Sequence, residues 1–197
     1  MNYGELKQSV VDYLHRADLA DQVPLFVELA HSRIMRDLRA PAMVEDQTFS
    51  VTANPMQLPA DLLDIRELSY TNGSSRYTLT SVGRAALART TAAAIGGLPS
   101  QYSLVGGTVE IQPETLGDYR LIYWKRLPFF ADDTDTNEIL EDYPYLYLYG
   151  ALIEANSYIM DAEQRIKAIE FYQTEIAEVN AETTATRYGE APQIGAI

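Results

Sequence analysis

The chain has no cysteine and, in 197 residues, only two histidines and one tryptophan. Without thiols there is neither a disulfide framework nor a thiolate-bound metal, so stability must come from packing, for which this length is ample. His15 and His31 each fall on a predicted helix with no second histidine at i+4 and no His-Glu-x-x-His pattern, which removes the usual zinc-hydrolase signature and leaves them surface or boundary roles. There is no Gly-x-Ser-x-Gly elbow, and neither Gly96-Gly97 nor Gly106-Gly107 belongs to a phosphate loop or a dinucleotide fingerprint. No catalytic residue and no cofactor is therefore expected. An apolar leader is also missing, since charges run through Met1 to Leu19, and the expectation is synthesis and folding in a cytoplasm.

Positive charge is scarce. Lysine and arginine number 15 against 28 acids, for a net charge of −13. Residues 1–131 hold 14 acids and 12 bases, net −2, whereas residues 132–190 hold 14 acids and 3 bases, net −11. Gripping a nucleic-acid backbone requires a basic stripe that releases counterions from phosphates, and this sequence has none.

What the chain does have is a helical segment from Asn137 to Asp161 with apolar groups on every side. Asp142 is placed to cap it and Pro144 to occupy its first turn, ahead of Leu146, Leu148, Leu152, Ile153, Ile159, Met160 and four tyrosines. Such a helix must be surrounded. At roughly 18 to 20 residues it approaches bilayer-spanning length, but Glu154, Asn156, the tyrosine hydroxyls and acidic residues at both ends argue against lipid. Burying it takes a large intrachain core or a partner subunit. Tyr143, Tyr145, Tyr147 and Tyr149 recur at every second residue, roughly 200° apart around a helix, which predicts scattered rings rather than one stacking platform. Tyrosine suits both cores and subunit boundaries.

Apolar spacing predicts a first helix over Tyr3 to Ala17, with Asn2 and Glu5 as a capping box, and a second from an Asp21 cap to Arg39, ended by Pro41. The period then shortens. Phe49 to Ala53, Met56 to Pro59, Ile65 to Tyr70 and Tyr77 to Leu79 read as strands, with a hairpin turn at Asn72-Gly73-Ser74-Ser75, and Ser81 can cap a short helix through Ala88. Thr90 to Pro99 reads as a loop. Gln101 to Val105 and Thr108 to Gln112 flank Gly106-Gly107 as a hairpin, and Tyr119 to Leu127, with large residues on both faces, reads as a central strand. Ala162 to Ala181 carries a helical stripe of Ile166, Ile169, Tyr172, Ile176 and Val179, and Glu182 to Ile197 reads as an extended C-terminal tail. The fold class is therefore α+β: an antiparallel helical bundle of two N-terminal and two C-terminal helices (residues 1–41 and 132–181), an intervening antiparallel β-rich region (42–131) with a short helix near 81–88, and the tail (182–197).

Two clusters invite a chemical reading. Asp133, Asp135 and Asn137 match the first ligand spacings of a calcium loop, but Glu138 stands where glycine is needed and Pro144 where the bidentate glutamate belongs, which favours a solvated loop at a helix start and no metal site. Glu28, Asp61, Asp64 and Glu67 could pair as the acid and base of a glycosidase, although among 28 acids some such pair always arises. Arg33, Arg36 and Arg39 form the densest basic group, either an exposed face salt-bridged through Asp37 or a contact for an acidic neighbour such as another copy's C-terminal helices.

Taken in order, the Leu6–Ala17 helix, Val23-Pro24-Leu25-Phe26-Val27-Glu28-Leu29-Ala30 leading into Arg33-Ile34-Met35-Arg36-Asp37-Leu38, Leu58-Pro59-Ala60-Asp61-Leu62, Leu98-Pro99-Ser100-Gln101-Tyr102, and Tyr143-Pro144-Tyr145-Leu146-Tyr147-Leu148-Tyr149-Gly150-Ala151-Leu152 followed by Glu154-Ala155 resemble tailed-bacteriophage head-to-tail adaptor (connector) proteins over about residues 3–180. The resemblance implies a non-enzymatic virion protein at the head-tail junction, assembled in the host cytoplasm as a ring of twelve copies. It implies as partners the portal, the next tail or nozzle protein and sister copies, with DNA passing through without specific binding and no membrane involved. By position, Arg187, Tyr188, Ile194 and Ile197 become the portal-binding anchors, and Arg33, Arg36, Arg39, Tyr145 and Tyr149 the inter-subunit candidates. The alternative readings are a soluble α+β binding or assembly module outside a virion, or a cell-wall hydrolase.

Overall fold

The computed structural model describes residues 1–91 and 97–188. Within them the chain is α+β, with six α-helices and two antiparallel-rich sheets. It divides into two compact units, a helical one of Met1–Ala42 with Leu127–Ile197 and a β-rich one of Met43–Arg126.

In the helical unit, α1 (Tyr3–Leu14) starts at the expected capping box: Asn2 accepts from the Glu5 N–H at 2.8 Å and Glu5 accepts from the Asn2 N–H at 2.9 Å. Two more of its free N–H groups, from Tyr3 and Gly4, donate to the carbonyls of Asp135 and Asp133, both at 2.8 Å. The helix ends earlier than the expected Ala17, because His15 turns left-handed (φ 52°) and Ala17–Gln22 forms a 3₁₀ turn. That turn also takes up Asp21, so α2 (Val23–Asp37) begins without a side-chain cap and with Pro24 in its first turn.

The stretch from Asn137 holds two helices, a short α4 (Glu138–Asp142) ahead of α5 (Pro144–Tyr158), and the second has Pro144 in its first turn as expected. Proline disfavours α conformation in the residue before it, and Tyr143 accordingly adopts φ −131°, ψ 60°. Asn137 caps α4, accepting from the Leu140 N–H at 2.9 Å, whereas α5 has no side-chain cap: Tyr143 stands at its cap position and Asp142, expected there, closes α4. Helix α5 is enclosed over most of its surface by its own polypeptide: Leu146, Tyr147, Leu148, Ala151, Leu152, Ile153 and Ala155 are buried, and α1, α2, α4 and α6 pack around it, while Tyr145 and Tyr158 stay exposed. Sister copies are thus not needed to cover its buried faces. Gly150 permits the closest approach, since a Cβ there would lie 3.0 Å from the Ala30 Cβ of α2.

Helix α6 (Ala162–Tyr188) is capped by Asp161, which accepts from the Gln164 N–H at 3.0 Å. Ala168, Tyr172 and Val179 are buried on it, but Ile166, expected in the stripe, is 57% exposed. Near its far end Asn180 accepts from the Arg39 N–H at 2.9 Å and donates to the Asp37 carbonyl at 3.2 Å, tying α6 to the end of α2. The helix runs past the expected Ala181 boundary to Tyr188, so residues 182–188 are helical rather than extended, and residues 189–197 of the expected tail lie outside the described residues.

The β-rich unit contains strands β1 (Val44–Val51), β2 (Met56–Gln57), β3 (Leu62–Asn72), β4 (Ser75–Thr78), β5 (Thr80–Ser81), β6 (Gln101–Val105), β7 (Thr108–Gln112) and β8 (Gly117–Lys125), with α3 (Arg84–Thr91) between β5 and β6. One sheet has the order β1-β8-β3-β4 and the other β2-β7-β6-β5; every pairing is antiparallel except β5 with β6. As its bulky sequence required, β8 is a central strand. Its Tyr119, Leu121 and Tyr123 share one core with Val51 and Leu68 of the same sheet and with Met56, Tyr102, Val109 and Ile111 of the other. The β6–β7 turn is Gly106-Gly107 with φ 56° and 86°, the conformation a two-residue hairpin asks of glycine. The β3–β4 turn is tighter than the four-residue loop expected, since Asn72 and Ser75 already pair. Ser81 lies in β5 and does not cap α3, and of the expected loop from Thr90 to Pro99, residues 92–96 lie outside the described residues.

Candidate interaction surface

The side chains that looked chemical are engaged locally. In the acidic loop, the Asp135 carboxylate accepts from the N–H groups of Ala131 (2.7 Å) and Asp132 (2.9 Å), bonds that hold its pKa below the usual carboxylate range. Asp133 takes the Lys7 ammonium at 2.6 Å. No group of three or more metal-ligating side chains is present among the described residues. Asp61 accepts from the Tyr123 hydroxyl at 3.2 Å; burial, then the nearby Asp61 charge, pushes that phenol up to about 12. Of the other glycosidase candidates, Asp64 and Glu67 lie on β3 and Glu28 is exposed on α2.

His31 sits in a buried relay. Its Nε2 is 3.1 Å from the Leu127 carbonyl and its Nδ1 2.8 Å from the Tyr147 hydroxyl, while the Asn137 amide donates to that hydroxyl at 3.0 Å. A carbonyl only accepts, so Nε2 carries the proton, Nδ1 accepts from Tyr147 and Tyr147 accepts from Asn137. Every member is satisfied in this direction. Burial raises the Tyr147 pKa, partly offset by the Asn137 bond. The relay stitches α2, α4 and α5 together, with His31 and Tyr147 buried and Asn137 half-buried at its outer end.

What remains unpartnered is surface. Tyr145 (51% exposed) and Tyr149 stack at 6.0 Å on α5, and Tyr149 stacks in turn on Phe171 of α6 at 5.0 Å. The four tyrosines are therefore less scattered than a two-residue spacing suggested, because the i, i+4 pair shares a face and Phe171 extends it; Tyr147 points the other way, into the core. Tyr149 and Phe171 border a groove of about 530 Å³ between the end of α1 and helices α5 and α6, lined also by Tyr13, His15, Leu152, Asn156, Ile159, Gln164 and Lys167. Burial, followed by the neighbouring Tyr13, Tyr145 and Glu175, raises the Tyr149 pKa, so the ring stays neutral and hydrogen-bond competent. Phe171, Tyr13, Tyr158 and Met160 are all more than half exposed; Met160, expected among the enclosed apolar groups of the helix, lies beyond the end of α5 at Tyr158.

The arginines divide three ways. Arg33 pairs with Glu154 of α5, while Asp37, its expected partner, instead accepts from the Tyr172 hydroxyl at 3.2 Å. Arg39 folds back to donate to the carbonyls of Arg36 (3.2 Å) and Leu38 (2.6 Å), capping the end of α2. Arg36 alone is exposed, in line with Leu25 (51% exposed) and Leu29 (43% exposed) on the outer face of α2. Arg187 and Tyr188 fall in the last turn of α6, and Ile194 and Ile197 lie outside the described residues.

No described helix is long and apolar enough to cross a membrane. The helical unit carries 20 acids and 8 bases, net −12, and the β-rich unit 8 acids and 7 bases, net −1. A helical scaffold with exposed apolar and aromatic surface and strong negative charge is what a component of a larger assembly presents. A search of curated proteins finds no match. A family model described as SU10 adaptor protein matches residues 1–194, nearly the whole chain. The chain therefore belongs to the SU10 adaptor protein family, a family of structural phage head-to-tail adaptors.

Proposed function

We propose that this protein assembles into a closed ring of twelve copies at the head-tail junction of a tailed phage, between the portal and the next tail or nozzle protein, and that its lumen continues the DNA channel. The family match carries this reading. The aromatic ladder of Tyr145, Tyr149 and Phe171, exposed at Tyr145 and Phe171, and the exposed outer face of α2 supply surface for neighbouring copies. The charge imbalance supplies a reason for DNA to pass without sticking: a wall carrying most of a net −12 repels phosphates, whereas a basic wall would hold them.

The end of α6 and the residues after it are the portal-binding segment, with Arg187, Tyr188, Ile194 and Ile197 as anchors. Residues 189–197, with two glycines, one proline and no periodic apolar stripe, have a composition that suits folding on a partner. The test is to mix the full chain with portal rings and image the product. Added density of a second ring beneath the portal is the expected outcome; bare portal rings beside free monomer would refute the proposal.

A further inference from the structure

We propose that neighbouring copies join through the outer face of α2 on one copy and the outer face of α6 on the next, running antiparallel, with Arg36 seated between acidic residues of the partner helix. This rests on the ring reading above. It starts from two stripes with the same spacing. On α2 the exposed line is Leu25, Leu29, Ser32 and Arg36, and on α6 it is Ile166, Glu170, Gln173 and Ala177, each at i, i+4, i+7 and i+11. That spacing is the ridge along which two helices interlock.

Charge complementarity selects the pairing. Arg36 and Glu170 are both exposed, and neither has an ion-pair partner among the described residues. The α6 stripe also carries Glu163 one turn before Ile166, paired with Lys167 at 2.7 Å, whereas its far end presents Ala177 and Ala181, which line a shallow groove with Glu170, Gln173, Thr174 and Glu178. An antiparallel alignment sets Arg36 against Ile166, between Glu170, which is free to take it, and the Glu163–Lys167 pair, and lays Leu29 over Gln173 and Leu25 over Ala177. The parallel alignment puts Leu29 and Glu28 onto Glu170, which buries a carboxylate under leucine and crowds two acids. The two stripes are different surfaces of one copy, so the contact is heterologous, and repetition generates a ring when the rotation closes.

The test uses the full chain and portal rings. Arg36→Glu and Glu170→Arg are each expected to weaken ring formation on the portal by roughly tenfold or more, since like charges then face each other, and the double variant Arg36→Glu with Glu170→Arg is expected to recover it. Because the chain has no native cysteine, a mixture of Leu29→Cys and Gln173→Cys chains checks the register independently: assembled rings are expected to yield disulfide-linked pairs containing one of each. Rings that form from either single charge variant as from wild type, a folded double variant that does not recover, or assembled rings without the mixed disulfide would each overturn this contact while leaving the ring itself standing. Failure of the wild-type chain to form rings would overturn both.

Discussion

Tyr147 shows how much a single side chain contributes in the helical unit. Its ring packs on Phe130 at 5.4 Å and on His31, and its hydroxyl is the middle link between Asn137 and His31. Tyr147→Phe keeps the ring and removes the link, leaving His31 Nδ1 without that donor and Asn137 Nδ2 without that acceptor. Orphaning buried polar atoms costs about 1–3 kcal/mol, so the variant's denaturant midpoint should fall with an unchanged slope; an unaltered midpoint would mean the relay is stabilising nothing. None of this was legible in the sequence, where His31 was one histidine on a helix and Tyr147 one tyrosine of four. A relay built from residues 31, 127, 137 and 147 exists only once α2, α4 and α5 are folded together. The Tyr145–Tyr149 pair was different: its i, i+4 spacing was on the page, but the third ring, Phe171, needed the register of α6 against α5.

Among elements, α5 is central. A helix apolar on all sides announces that something must enclose it, and that much was readable from its composition. Which surfaces enclose it was not, because periodicity reports burial without naming the partner; here the enclosing surfaces come from the same chain. Capping signals were read unevenly for a physical reason. Asn2 and Glu5 satisfy each other within one turn, so sequence spacing alone identifies them, whereas the start of α5 is governed by the restriction Pro144 places on Tyr143. The approach of α5 to α2 at Gly150 gives this scale its own test. Branched carbons at position 150 must push against Ala30, so Gly150→Val should destabilise the protein by about 1–3 kcal/mol, measured by thermal or denaturant unfolding. Stability equal to wild type would show that the two helices can separate freely.

For the whole molecule, family membership states the kind of assembly and the surface chemistry suggests how copies and partners attach. The helical unit combines the acidic excess, the aromatic ladder and the α6 terminus, so both sister-copy and portal contacts are assigned to it. Removing residues 189–197 should leave the fold's melting behaviour unchanged and abolish attachment to portal rings; attachment as strong as that of the full chain would remove the C-terminal segment from the proposed interface. The charge partition and the adaptor-like order of motifs were legible in the sequence, since both depend only on residue identity and position. The outer faces of α2 and α6 emerged only from the packed structure, which shows that Leu25, Leu29 and Ile166 are left on the surface.

The most direct measurement is electron microscopy of the full chain mixed with portal rings. A closed ring of copies beneath the portal, its lumen in line with the portal channel and lined by acidic helices, is the expected image. Portal rings that stay bare, or a ring whose acidic helices lie on its outer wall, would contradict the proposed role.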